Sequence, residues 1–269
     1  IPGVSTKRGC PRKCVYCSYP DLDGRTYSFG QVDEVVEQVC KLEKLGATHI
    51  FFTDSVFNAG GEHYLRVAEE MVRQETTLKW SAYFAPARMA DDEIELLKRS
   101  GLAAVEMGTD ATSDVTLKAM QKPFTFELAR EMNDQMARHE VPAAHFVIFG
   151  GPGETPETVE EGIANLQTLE SCVVFAFSGI RLYPRTRLYE IAIEQGLIEK
   201  DKDLLRPWFY FSPDVAPEAM NEEITQAFKG RRERFFPPSR AQERMTVLRR
   251  MGFRGFLWDT LLPYGRKGR

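Results

Sequence analysis

A regular alternation of short apolar runs with amphipathic stretches constrains this chain more than any other feature. Residues 49–54 (HIFFTD), 78–84 (LKWSAYF), 102–108 (LAAVEMG), 143–150 (AAHFVIFG) and 173–183 (VVFAFSGIRLY) read as buried strands. Between them, 31–46, 61–75, 91–100, 125–139, 156–169 and 186–196 carry helical periodicity. Start signals stand at Asp91-Asp92, at Thr112 or Ser113, and at Thr155-Pro156, while Gly46, Gly101 and Gly196 sit where helix ends belong. Strands alternating with helices predict βαβ units and a parallel sheet. With residues 4–8 as a first strand there are six units, too few for a closed eight-fold barrel. The expected fold is therefore α/β, a partial (β/α)6 barrel of the TIM type. Its chemistry is expected at the C-terminal ends of the strands. Past about residue 200 the pattern fades into an aromatic, Pro-rich stretch and an arginine-rich segment. The expected division is a core over 1–200 and an α-rich C-terminal extension over 201–269 that packs on the barrel.

The 269 residues are 43% hydrophobic, enough for a sizeable core. No apolar run approaches the roughly 18–20 residues that span a bilayer, and the opening residues IPGVSTKRGC lack the apolar region of a signal peptide. The chain opens on Ile1 rather than Met, which leaves its natural start open. Net charge is −4 but unevenly spread, with 12 Lys and Arg against 3 Asp and Glu from Lys229 onward. A basic tail suits either a nucleic-acid partner or a solvated helical face on an acidic body, and the second reading is preferred.

Cys10, Cys14 and Cys17 lie together in GCPRKCVYCSYP at C-x3-C-x2-C spacing, whereas Cys40 and Cys172 are isolated. An odd count with one tight cluster points to metal or catalysis in a reducing compartment, not to a disulfide framework. Structural zinc usually takes four ligands, and no second pair of cysteines completes the set. Cubane iron–sulfur clusters also take thiolates, one per iron. Three ligands leave one iron open, as catalysis needs. A zinc-stabilised nucleic-acid binder is the weaker alternative. Cys40 and Cys172 suit buried apolar roles, and His145, opening a buried strand, reads as a satisfied core residue.

This spacing, with the aromatic Tyr16 between the last two cysteines, resembles the signature of the radical S-adenosylmethionine (SAM) enzymes. The likeness extends through FTDSVFN (52–58), VEMGTDATSDVTLKAMQKPFT (105–125), FVIFGGPGET (146–155) and GIRLYPRTRLYEIAIEQGLI (179–198), the last with Arg185 where the family usually has Gly. The resemblance implies a [4Fe–4S] cluster on Cys10, Cys14 and Cys17, and SAM chelated to the fourth iron and cleaved reductively. It also implies an electron donor of the flavodoxin or ferredoxin type and a small-molecule substrate. An oxygen-labile cluster further implies a cytoplasmic setting. Tyr16, Asp54, Tyr83, Glu106, Asp110, Lys122, Gly150 and Gly151 are the expected contacts to SAM, with Asn58 and Arg181 toward substrate. Alternatives stand beside several of these: an Asx-turn for Asp54, a helix-capping role for Asp110, a solvated helix end for Lys122, and an ion pair for Arg181. Tyr83 and Arg88 flank the end of one strand without a decided role. Glu106, Gly108 and Asp110 share strand parity, so one face should present two carboxylates with room between them.

The subgroup most resembled is the cobalamin-associated one, which includes C-methylases and cyclases. Its D-x-H-x-x-G loop does not occur at His49, His63, His139 or His145, so either cobalamin binds through sequence outside this chain or this member works without it. The implied reaction is methylation, cyclisation or a related modification; transfer of the 3-amino-3-carboxypropyl group of SAM is the alternative.

Overall fold

The computed structural model describes residues 1–262. Seven strands form one sheet: β1 (Gly3–Val4), β2 (His49–Phe52), β3 (Lys79–Phe84), β4 (Leu102–Asp110), β5 (Ala143–Phe149), β6 (Cys172–Ser178) and β7 (Arg234–Phe235). Each pairs in parallel with its neighbour in sequence, and the sheet runs in chain order from β1 to β7. Besides single turns at Tyr19–Leu22 and Trp258–Leu261, the helices among the described residues are α1 (Val32–Lys44), α2 (His63–Arg73), α3 (Asp91–Arg99), α4 (Asp114–Ala119), α5 (Phe126–Arg138), α6 (Pro156–Thr168), α7 (Arg187–Glu194), α8 (Pro217–Ala227) and α9 (Ser239–Arg250). This is the expected α/β architecture, an open partial barrel with helices outside.

Strand parity separates two cores. Ile50, Phe52, Trp80, Ala82, Phe84, Val105, Met107, Val147, Phe149, Val174 and Ala176 face outward into the main core with the apolar stripes of the helices, such as Val35, Val36 and Val39 of α1. The inward face builds a smaller cluster of Ala104, Ala144, Val173, Phe175 and Phe235, closed by Trp258 and Leu262 near the end of the described chain. The C-terminal segment thus plugs the barrel floor, at the N-terminal side of the strands.

Three sequence expectations change. Of the expected strand 4–8 only Val4 joins the sheet, together with Gly3 before it. The Asp54 carboxylate accepts from the N–H groups of Thr6 (2.7 Å) and Lys7 (3.2 Å) and from the Thr6 hydroxyl (2.5 Å). This peels the chain away, so Lys7–Arg8 pairs antiparallel with Ser28–Phe29 instead. The expected strand 173–183 breaks at Gly179, whose φ is +73°, and Ile180–Arg181 pairs antiparallel with Phe209–Tyr210. A Cβ at Gly179 would stand 2.6 Å from the Phe211 ring, so the chain turns there under a packed aromatic. Finally, β7 is a seventh strand from the region where periodicity fades; two residues carry no period to read. Of the basic tail, α9 is mostly exposed, with Ala241 buried and Met245 and Leu248 partly so, while Arg266, Lys267 and Arg269 lie outside the described residues.

Candidate active site

The cysteine loop follows β1 and is pinned from three sides. The Val15 N–H donates to the Met120 carbonyl (3.1 Å), just beyond α4, and the Leu188 N–H of α7 donates to the Val15 carbonyl (2.8 Å). Val15 itself is buried. At the loop's entry the Cys10 N–H donates to the Gly24 carbonyl (3.0 Å) and the Ser55 hydroxyl to the Gly9 carbonyl (3.1 Å). A turn closed by the Cys17 N–H and the Cys14 carbonyl (3.1 Å) is the physical content of the C-x2-C spacing. All five cysteines are free thiols. Burial pushes the Cys17 thiol up to about 11 and also raises that of Cys14, which the nearby Lys122 ammonium partly offsets. Binding a cation here therefore releases protons.

Beneath the loop, three expected residues meet. The Tyr16 hydroxyl donates to Asp110 Oδ2 (2.5 Å), and Lys122 Nζ pairs with the same oxygen while reaching the Tyr16 hydroxyl at 3.4 Å. Burial pulls the Lys122 ammonium down, but Asp110 outweighs it, so its affinity for the proton ends above the usual lysine value. Burial, then Asp110, hold the Tyr16 phenol well above its ordinary range. Asp110 adopts φ +60° beside a register shift in its pairing with β5. That left-handed conformation, which Asp tolerates better than most residues, directs its carboxylate to the loop.

The predicted parity holds: Glu106, Gly108 and Asp110 alternate, half-exposed, with buried Val105, Met107 and Thr109. Depth separates the two acids. Asp110 ends β4 at the mouth, whereas Glu106 stands four residues earlier, roughly 13 Å deeper at ~3.3 Å per residue. Glu106 lies level with Tyr83 in the strand register and faces the Trp258 indole N–H of the floor, while burial pushes its carboxyl up to about 7. Glu106 therefore belongs to the barrel interior and not to the mouth where SAM was expected.

Other expected contacts are occupied by the protein. Asp54 is closed in an ion pair with Lys7 (3.1 Å), both side chains almost fully buried. The Asn58 amide exchanges two hydrogen bonds with the Ala85 backbone, both 2.9 Å, tying the loop after β2 to the end of β3. The N–H groups of Gly150 and Gly151 donate to Glu154 Oε2 at 2.8 and 3.3 Å, and a Cβ on Gly151 would lie 2.2 Å from the Met120 methyl. Those glycines serve side-chain packing and a buried acceptor, not an open backbone edge. Arg181 is exposed, with its guanidinium 5.0 Å from the centre of the Tyr183 ring, and exposed Arg88 pairs with Glu131 at 3.2 Å. His145 is the satisfied core residue expected, bonded to Thr109 (2.8 Å) and Asn133 (3.1 Å). Sequence reasoning missed Lys7, Glu154 and Trp258. Only Glu154 left a trace, in its place before the Thr155-Pro156 helix start.

Among the described residues, no three His, Cys, Asp or Glu side chains converge on a single ion, as a tetrahedral zinc would require. A cubane places each thiolate on a different iron, so the loop's donor set fits a cluster better than a lone ion. The family model of the radical SAM superfamily matches residues 4–165. The chain belongs to the radical SAM superfamily. Radical SAM enzymes bind a [4Fe–4S] cluster and SAM. Among curated proteins, the tryptophan 2-C-methyltransferase of Streptomyces laurentii is 27% identical over 209 residues, covering 72% of this chain and 35% of that protein. Among solved structures, the radical SAM methyltransferase TsrM from Kitasatospora setae, bound to cobalamin and a [4Fe–4S] cluster, superposes with a TM-score of 0.84. It is 23% identical, with 99% of this chain and 59% of that chain covered. The cobalamin-dependent radical SAM enzyme OxsB matches with a TM-score of 0.64 at 15% identity, over 84% of this chain and 41% of its own. These structures share the fold. The chain spans about a third of the length of the curated relative. No helix among the described residues is long and apolar enough to cross a membrane.

Proposed function

We propose that this radical SAM chain is the core of a methyltransferase acting on a small molecule, with Cys10, Cys14 and Cys17 holding a [4Fe–4S] cluster. The observation that carries this is the cysteine loop, pinned through Val15 directly above the Tyr16–Asp110–Lys122 group. The relative that methylates tryptophan supports methyl transfer over the other radical SAM outcomes. When bound, a cluster with one iron free of thiolate supplies an electron and a coordination site for activating SAM. The chain's own residues do the rest. Lys122 offers a cation to the carboxylate of SAM, and Asp110 offers an acceptor to its ammonium or hydroxyl groups. Tyr16 keeps both in place while SAM is absent. The plugged floor closes one end of the barrel to water, so a reactive species formed at the mouth meets substrate from one side only. Reducing equivalents would come from a flavodoxin- or ferredoxin-type donor in a cytoplasmic setting.

The histidines of this chain offer cobalamin no ligand. His63 bonds the Thr6 carbonyl, His139 bonds Asp91 and Glu95, His145 bonds Thr109 and Asn133, and His49 meets Thr48. None is set aside to ligate cobalt, so cobalamin, where it takes part, would be held by sequence outside this chain.

Iron and sulfide analysis after anaerobic reconstitution tests the reading. Each of Cys10→Ala, Cys14→Ala and Cys17→Ala is expected to lose the cluster, whereas Cys40→Ala and Cys172→Ala keep it. Full iron retention in Cys14→Ala sinks the proposal.

A further inference from the structure

The inward face of the barrel above its floor is unlike a packed core. Glu106, Gly108 and Asp110 stay half-exposed although they face inward, and a Cβ at Gly108 would make only ordinary contacts, 3.9 Å from Asp110 Oδ2 and 4.0 Å from the Phe84 carbonyl, so the middle of β4 has room above it. Ala104 and Ala144, beside and below it, are equally small. Aromatic rings wall this space on both sides. Phe51 and Tyr83 meet edge to face with centroids 4.9 Å apart, and Phe146 stacks on Phe177 at 6.3 Å, with Tyr83 and Phe177 still exposed. Polar groups without charged partners lie at the bottom. Among the described residues no lysine, arginine or histidine pairs with Glu106, and its one side-chain partner is the Trp258 indole N–H. The Ser81 hydroxyl, on the same face of β3 as Tyr83, is fully buried without a hydrogen-bond partner. A half-buried carboxylate lacking a cation and a buried orphaned hydroxyl both call for a ligand atom or water.

We infer that this chamber binds a small aromatic amine, with the rings of Phe51, Tyr83, Phe146 and Phe177 enclosing its aromatic body and Glu106 receiving its ammonium. This deepens the functional reading above and rests on it for the claim that the bound amine is the substrate. An ammonium is favoured over a neutral polar head because it satisfies an otherwise unpaired carboxylate and is itself attracted to aromatic faces. In this orientation the head group rests near the floor and the aromatic body points up toward the cysteine loop. Chemistry would then fall on the aromatic portion or the carbon next to it, not on the nitrogen. Glu106 is accordingly a specificity residue, and Ser81 supplies a second acceptor to the same head group or to a water beside it.

The test is binding to the 269-residue chain by anaerobic calorimetry, without cluster or SAM, using 2-phenylethylamine, neutral 2-phenylethanol and aliphatic butylamine as probes. The wild type is expected to hold 2-phenylethylamine about 10-fold or more tighter than either comparison compound, as a hydrogen bond to a charged group implies. Glu106→Gln should erase the preference for amine over alcohol. Gly108→Val, which fills the open space without backbone strain, should abolish binding of both aromatic probes while the far-ultraviolet circular dichroism is unchanged; it decides the matter if Glu106→Gln fails to fold. Equal affinity of the wild type for amine and alcohol overturns the inference, as does undiminished amine binding in a folded Glu106→Gln or Gly108→Val protein. Iron content after reconstitution is read separately. Loss of cluster in the wild type with amine binding intact would count against the methyltransferase reading alone, and a good cluster without amine binding against this inference alone.

Discussion

Lys7 and Asp54 lie with side chains 1% and 0% exposed, so each depends on the other. Burial lowers the proton affinity of Lys7, and the charge and hydrogen bond of Asp54 restore part of it. Asp54→Ala leaves the ammonium buried without its partner and is expected to cost about 3–5 kcal/mol in urea unfolding. Lys7→Met combined with Asp54→Leu should recover only the part due to the uncompensated ammonium, since the Thr6 and Lys7 N–H groups and the Thr6 hydroxyl still lose their acceptor. A double variant as unstable as the single one would refute this account. No sequence pattern could have announced the pair, because its members are 47 residues apart and an Asp at a strand end reads equally well as a ligand contact. The inward parity of Glu106 and Asp110 was legible, because alternation is a property of the strand itself. How far down each acid lies was not, because depth depends on where the C-terminal plug comes to rest. Arg185 shows a departure that was visible but not interpretable from sequence: it sits at φ +63°, where the family's usual Gly would be at ease. Arg185→Gly relieves left-handed strain of about 1–2 kcal/mol but frees the unfolded chain by about 0.4–1. A net gain of about 0.5–1 kcal/mol is expected, read as a higher thermal midpoint.

Among the elements, all six anticipated helices form within two residues of the expected ends, because each carries its own apolar stripe and several carry their own caps. Thr155, for instance, accepts from the Thr158 N–H at the start of α6. The very short strands were illegible for the converse reason: β1, β7 and the two small ribbons exist only through their partners. One contact between elements makes a pH prediction. His139, just past the end of α5, bonds Asp91 (2.9 Å) and Glu95 (2.8 Å) of α3 through its two ring nitrogens, and both nitrogens must carry a proton to donate to these carboxylates. These hydrogen bonds raise the histidine above its ordinary 6.5, and they lower Asp91 and Glu95, with Gln135 and Lys98 contributing. For the raised histidine, the stabilisation is fully present below 6.5 and is lost as pH rises through the higher folded value. For the lowered acids it is present above their unfolded values and lost as pH falls through the folded ones. Stability should therefore decline as pH rises above 6.5 in the wild type and less so in His139→Gln. Parallel denaturation midpoints for the two proteins from pH 6 to pH 9 would rule the staple out.

For the whole molecule, the arrangement of its two ends relative to the sheet matters most. The cysteine loop rests on the mouth, held by Met120 and Leu188, whereas Trp258 closes the floor against Ala104, Ala144, Val173, Phe175 and Phe235. The main core between sheet and helices separates neither from the rest of the fold but gives both a rigid frame. Trp258 is 6% exposed, so Trp258→Ala removes a large buried side chain and leaves a cavity beneath the strands. A loss of about 3–5 kcal/mol is expected. None of the backbone bonds that pin the cysteine loop passes through this plug, so the protein that remains folded should take up iron and sulfide as fully as the wild type. Measuring both quantities on the same preparation separates the two ends of the barrel. Iron content that falls in proportion to stability, under conditions where circular dichroism shows the variant folded, would mean that the floor supports the mouth directly and that the two are not independent.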